Sequence, residues 1–244
     1  MIVSALTNPT QFPLKTIRSK SALVVAPHPD DETLGCGGAI ALLKAQGCDL
    51  NVLVMSDGTL SHPRSQKFPA SRLRTLRYEE TRSAMNLLGV HSKNVSFLNF
   101  KDGAIPAAES EIYDVALTVF RAYLVTIAPE IIFVPWRFDP HPDHRATWQL
   151  VHTAKQQLNL PVRLIEYPIW DWDTEQRGEF FQPGKFSGWR LEIASVRKAK
   201  QNAIAQYRSQ ITDLIDDDPE GFRLTPEMLE NFSRSWELYF EEES

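Results

Sequence analysis

The chain has 244 residues, 43% of them hydrophobic and 23% charged, so it can bury a core and is not a disordered polymer. Its 26 Lys and Arg against 31 Asp and Glu leave a net charge of −5, which excludes the basic excess of a nucleic-acid-binding surface. Two cysteines, Cys36 and Cys48, are too few for a disulfide framework and point to a reducing compartment.

Met1–Leu6 is apolar but too short for a signal-peptide core, and no apolar run reaches the length of a membrane span. The expected location is therefore the cytoplasm. Residues 1–20, with Pro9, Pro13 and the basic stretch Lys15–Lys20, read as an arm, and residues 21–244 as a single domain without repeats or linkers.

From Ser21 onward, strands and helices alternate. Ala22–Ala26 is a continuous apolar run, the pattern of a buried parallel strand. A helix is predicted over Leu34–Gln46, closed by Gly47, then a strand over Leu50–Ser56. A long helix spans Ser71–Leu88 before Gly89, followed by a strand at Val95–Phe100 and a helix at Glu109–Ile127. Glu130–Pro135 and Val162–Tyr167 read as strands flanking a helix at Asp143–Leu158. Trp170–Trp189, rich in aromatics, Gly and Pro, reads as a hairpin or a long functional loop. Ala194–Tyr207 is helical again, and Trp236–Phe240 suits a terminal strand. The expected architecture is a Rossmann-like α/β fold: a mainly parallel sheet with helices on both faces, plus a C-terminal aromatic-rich extension.

Reactive groups concentrate at two strand ends. Pro27-His28-Pro29-Asp30-Asp31-Glu32 follows the first predicted strand, and Asp139-Pro140-His141-Pro142-Asp143-His144 follows the fourth. Ligands of open α/β sheets bind outside the carboxyl ends of strands, where strand order reverses. Three consecutive acids repel one another unless a cation or basic groups compensate, and flanking prolines restrict where each imidazole can point. By itself the first cluster also suits a solvated acidic helix start. If the two strands are neighbours, the loops face one another and form a shared metal site, since two imidazoles and a carboxylate are a common catalytic zinc set.

These motifs, Ala26–Glu32 followed by Gly35, Gly37 and Gly38, with His141-Pro142-Asp143-His144, resemble the LmbE-like or PIG-L family of zinc-dependent N-acetylglucosaminyl deacetylases. Ser56-Asp57-Gly58, Arg77-Tyr78-Glu79-Glu80, Leu88-Gly89-Val90, Leu98–Gly103 and Lys198–Gln210 extend the resemblance over roughly residues 20–212. It implies hydrolysis of the N-acetyl amide of a GlcNAc-type amino sugar, releasing acetate and a free amine. It also implies His28, Asp31 and His144 as ligands of Zn2+, with another divalent metal such as Fe2+ open. Asp30 matches the general base, His141 the residue that assists the transition state or protonates the amine, and Asp143 the carboxylate that orients His141. The expected partner is a small amino-sugar conjugate, with no nucleic acid and no membrane span; a homo-oligomer stays open.

Other residues carry weaker signals. In the Ser71–Leu88 helix, Arg77 and Glu80 fall on the stripe of Leu73, Leu76, Ala84 and Leu87. Arg77 either pairs with Glu80 at i,i+3 or reaches the substrate with Glu80 as its holder; the resemblance favours the second. Asp102-Gly103 reads as a turn that can also contact substrate. The glycine spacing at 35, 37 and 38 does not fit a dinucleotide loop and suits close helix–sheet approach instead. His62, His91 and His152 read as surface or structural, and the two cysteines as packing residues. Trp170, Trp172, Phe180, Phe181, Phe186 and Trp189 either stack on a sugar ring or form a satellite core. Two alternatives to the deacetylase are a metal-dependent phosphoesterase or other hydrolase, and a non-catalytic zinc-binding member.

Overall fold

The computed structural model describes residues 12–172 and 186–242. Among them, eight strands form one sheet: β1 (Leu14–Lys15), β2 (Ser21–Ala26), β3 (Asp49–Ser56), β4 (Val95–Phe100), β5 (Ile131–Pro135), β6 (Arg163–Tyr167), β7 (Phe186–Glu192) and β8 (Trp236–Glu242). The helices are α1 (Asp31–Ala45), α2 (Ala70–Leu87), α3 (Tyr113–Ile127), α4 (Pro142–Gln157), α5 (Arg197–Ile204), α6 (Arg208–Ile211) and α7 (Pro226–Phe232).

The spatial order is β1-β7-β8-β6-β5-β2-β3-β4. All pairings are parallel except those of β8, which runs antiparallel to both β6 and β7. Alternate side chains of the central strands enter separate layers, as a strand covered on both faces requires. Ala22, Val24 and Ala26 pack with α1, α2 and α5, whereas Leu23 and Val25 pack with α3 and α4. The sheet is thus the expected one, helices on both faces included.

The chain runs outward from β2 through β3 to β4, then crosses back to β5 on the other side of β2. Leu23 lies opposite Ile132 and Val24 opposite Phe133, so β2 and β5 are direct neighbours at this reversal. Their carboxyl ends present the two His/Asp loops to the same crevice.

Several boundaries differ from the sequence reading. The first helix begins at Asp31, three residues earlier, because acidic groups sit well on a helix N-terminus. The helix predicted from Glu109 begins at Tyr113, and the late helix breaks at Ala205 before the short α6. Leu14–Lys15, within the expected arm, pairs with β7, and Phe186–Glu192 pairs antiparallel with β8 across the intervening residues 193–235, so it is a sheet strand and not one arm of a hairpin within Trp170–Trp189. Residues 1–11 of the arm and residues 173–185 of the aromatic stretch, with Phe180 and Phe181, lie outside the described residues. No helix among the described residues is long and apolar enough to cross a membrane.

Close approach explains two glycines of α1. A Cβ on Gly35 would stand 2.3 Å from the Tyr167 ring, and one on Gly38 2.5 Å from Ile193. Behind this contact Glu237 accepts from the backbone N–H groups of Gly38 and Ala39 and from Lys200 Nζ, 2.7 Å away. Lys200 also donates to the Leu34 carbonyl. Both partners of this buried ion pair make further hydrogen bonds, the condition under which such a pair is tolerated, and the pair fixes α1 against β8.

Candidate active site

Three imidazoles meet at the junction of the two loops. His28, His141 and His144 each offer a nitrogen, and these nitrogens lie within 4.8 Å of one another. His28 leaves the end of β2, while His141 caps α4 and His144 projects from its first turn. One Asp31 oxygen, Oδ2, stands 3.2 Å from Nδ1 of His28 and 3.2 Å from Nε2 of His144. The three residues matched to metal ligands are therefore brought together. Burial alone would raise the Asp31 carboxyl, but the His144 and His28 imidazoles hold it well below the usual carboxylate range.

His144 is fully buried between two carboxylates. Its Nδ1 lies 3.2 Å from Asp139 Oδ2, yet among the described residues neither ring nitrogen is angled for a hydrogen bond. Burial would push this imidazole down; Asp139 and Asp31 instead hold it up at about 9. Asp139 also accepts the backbone N–H groups of His141 and Trp170. This residue belongs to the second sequence cluster, but its sequence position alone suggested no role.

Asp30 carries the site's backbone strain. Its φ of 119° is one that a side chain rarely adopts, and its carboxyl group is buried. Burial pushes this carboxyl well above its ordinary value, opposed by Arg77 and reinforced by Asp31 and Glu32. Arg77 Nη2 donates to Asp30 Oδ2 at 3.1 Å and to the Pro29 carbonyl, and Nη1 donates to the Gly58 carbonyl. The strained loop is thus braced from α2. Glu32 completes the support: it accepts the Asp30 N–H and is held by Tyr207 Oη and Thr33 Oγ1.

The pairing of Arg77 with Glu80 does not form. Glu80 accepts from the backbone N–H and Oγ of Ser209, because the two side chains meet different tertiary neighbours despite sharing a helix stripe. Leu87, placed on that stripe by its spacing, is exposed, and Thr81, Met85 and Leu88 take the buried side instead.

The geometry also relocates the Asp143 contact. Its carboxylate accepts from the N–H groups of Gly103 and Ile105 and lies 3.0 Å from His28 Nε2. It is the backbone N–H of Asp143, not its carboxylate, that reaches His141, donating to Nδ1 at 3.2 Å. Asp102 Oδ1 lies 3.2 Å from the same His28 Nε2, and its Oδ2 accepts the Leu60 N–H. His28, Asp102 and Asp143 form a second convergent set. Burial would lower the His28 imidazole, but Asp102, Asp143 and Asp31 raise it well above its ordinary value. His141, desolvated and close to the other imidazoles, is pushed down.

All of this opens on a cavity of about 460 Å³, bordered by His28, Asp30, Asp31, Arg77, Asp102 and His141 on its polar side. Trp170 stacks nearly parallel to His141, with centroids 6.4 Å apart, and borders the cavity, whereas Trp189 is core and Phe186 packs on Trp136. Of the remaining histidines, His91 is exposed, His152 stacks on Trp148, and His62 is buried beside Ser61. Both cysteines are buried in the core.

Comparison with known proteins places this arrangement in context. A family profile described as "PIG-L: GlcNAc-PI de-N-acetylase" matches residues 23–155. The chain is 33% identical over 199 residues to a diacetylchitobiose deacetylase of Thermococcus kodakarensis, covering 80% of this chain and 71% of that protein. It is 26% identical over 202 residues to a probable N-acetyl-alpha-D-glucosaminyl L-malate deacetylase 2 of Bacillus cereus, covering 81% and 87%. Among solved structures, the N,N'-diacetylchitobiose deacetylase of Pyrococcus horikoshii, complexed with its inhibitor MPG, aligns with a TM-score of 0.64 at 26% identity. That alignment covers 91% of this chain and 83% of that one.

Proposed function

This chain belongs to the PIG-L family, and we propose that it hydrolyses the N-acetyl amide of a GlcNAc-type amino sugar, with zinc held by His28, Asp31 and His144. The observation that carries the reading is the meeting of these side chains beside the strained, buried Asp30, with His28, Asp30 and Asp31 on the cavity wall and His144 behind it.

The residues present suit a divalent cation. Two nitrogen donors and one carboxylate oxygen make a borderline-soft donor set, and the buried His144 Nε2 has no well-formed hydrogen bond among the described residues. A cation held there by His28, Asp31 and His144 would supply Lewis acidity toward the acetamide carbonyl and toward water near neutral pH. Asp30 borders the cavity next to Asp31, and a carboxyl raised by burial is a better base toward the attacking water than an exposed one. Arg77 and Glu32 hold it at that position. Because His141 Nδ1 accepts from the backbone, the neutral ring carries its hydrogen on Nε2, from which it can hydrogen-bond to the oxygen that gathers charge in the transition state. As a water oxygen bonds to the acyl carbon, Asp30 takes its proton; the C–N bond then breaks as that proton passes to the amine, and acetate and the amino sugar leave.

The test is acetate and amine release from a panel of N-acetylglucosaminides, using protein stripped by chelator and then reloaded with zinc or ferrous iron. Release that disappears on stripping and returns best with zinc is expected. Failure of the reloaded protein to release acetate from every member overturns the assignment.

A further inference from the structure

The cavity wall is chemically mixed. Beside its carboxylates and imidazoles the wall carries Leu34, Leu60, Ile169, Trp170, Phe222 and Leu224. Ile169, Trp170 and Leu224 also border a second chamber of about 310 Å³, whose remaining wall includes Trp172, Met228 and Phe232. The indole of Trp170, stacked on His141, therefore lies between the reacting groups and an apolar annex.

Charge narrows what the annex can take. Apart from histidine, Arg77 is the sole cationic residue among the described residues that border the two chambers, and its Nη groups are engaged by Asp30, Pro29 and Gly58. Glu227 borders the annex. Arg234 is not among the residues bordering the annex; it stacks 4.5 Å over the Trp172 ring and 4.8 Å over Trp236, and its Nη2 is engaged by the Asn231 side chain. An anionic group entering there would lose its hydration without gaining a free counter-charge from the described residues of the wall, which is costly. An apolar group would exchange water for Met228, Trp172 and Leu224.

On these grounds we propose that the annex holds the aglycone of the substrate and selects a neutral, apolar one, alkyl or aryl, over an anionic one. The assignment rests on the deacetylase reading. It also separates this chain from the Bacillus cereus relative, whose name specifies a malate conjugate.

The experiment compares kcat/KM of the zinc-loaded protein on the methyl, octyl and malyl glycosides of N-acetylglucosamine, below micellar concentrations. The octyl glycoside is expected to exceed the methyl glycoside by about tenfold or more, since burying two methylenes already supplies that factor. The gain should fall on KM, because the contact is made equally in ground and transition states. The malyl glycoside should be the poorest. Met228→Lys and Trp172→Ala should each bring the octyl-to-methyl ratio toward one, while Met228→Leu keeps it; a ratio is insensitive to general losses in folding. Equal octyl and methyl values in the unmodified protein, a preference for the malyl glycoside, or a ratio that survives both disruptive substitutions overturns the proposal. Acetate from all three at one rate removes only the annex assignment, whereas acetate from none removes the deacetylase reading with it.

Discussion

The Asp139 carboxylate stands 3.2 Å from Nδ1 of His144, and both residues are fully buried at the end of β5. A carboxylate behind a ligating imidazole fixes the ring and raises its basicity. Asp139→Asn should therefore weaken zinc binding by about 10- to 100-fold while the fold persists. Competition titration with a chromophoric chelator measures this directly, and unchanged affinity would remove Asp139 from the site.

Asp30 and His144 should separate chemistry from metal holding. Asp30→Asn should keep its zinc and lose about 10²- to 10⁴-fold in turnover, the range for a positioned proton acceptor. His144→Ala should lose zinc itself. Metal analysis alongside steady-state rates distinguishes them, and an Asp30→Asn protein as fast as the unmodified one would show that the base is elsewhere.

Zinc uptake should release protons. In the apoprotein, His144 is held up at about 9, so its ring is protonated on both nitrogens at neutral pH, and the surrounding carboxylates raise His28 well above its ordinary value. A cation binds the neutral ring, so affinity should rise with pH toward 9. The sign for stability is the opposite. A raised folded-state pKa gives His144 a stabilising contribution that is complete below about 6.5 and lost as pH rises through about 9. Calorimetry in buffers of different ionisation enthalpy and thermal melts of apoprotein across this window test both signs.

Arg77 and Glu80, three residues apart on α2, should behave differently. Arg77→Met leaves the buried Asp30 carboxylate and two carbonyls without their donor, at a cost of about 3–5 kcal/mol. Glu80→Gln keeps an acceptor for Ser209 and should cost only about 1 kcal/mol. Denaturant midpoints resolve a difference of that size.

Gly35→Ala should destabilise by about 1–3 kcal/mol, the range for overpacking. The added methyl would meet the Tyr167 ring at 2.3 Å, and that ring is buried and tied through its hydroxyl to the Val25 carbonyl. A thermal shift accompanied by reduced turnover would show that the helix start moves with the site.

The central strands were legible because both of their faces meet apolar layers, which leaves a continuous apolar run in the sequence. The edge strand Leu14–Lys15 was not, since two exposed residues carry no period. Asp31 was read as loop although it opens α1, because acidic residues suit a helix N-terminus and a turn about equally.

What the sequence by itself determined was the content of the site: two proline-stiffened loops of imidazoles and carboxylates, each at the end of an apolar strand. Local spacing suffices for that, because strand and loop character reside in neighbouring residues. Only the tertiary structure decided which group serves which. The reversal of strand order between β2 and β5 brings Asp31 to His144 and Asp143 to His28, across more than a hundred residues of chain. Burial then makes each such contact obligatory, since a desolvated charge persists only beside the partner that the fold supplies.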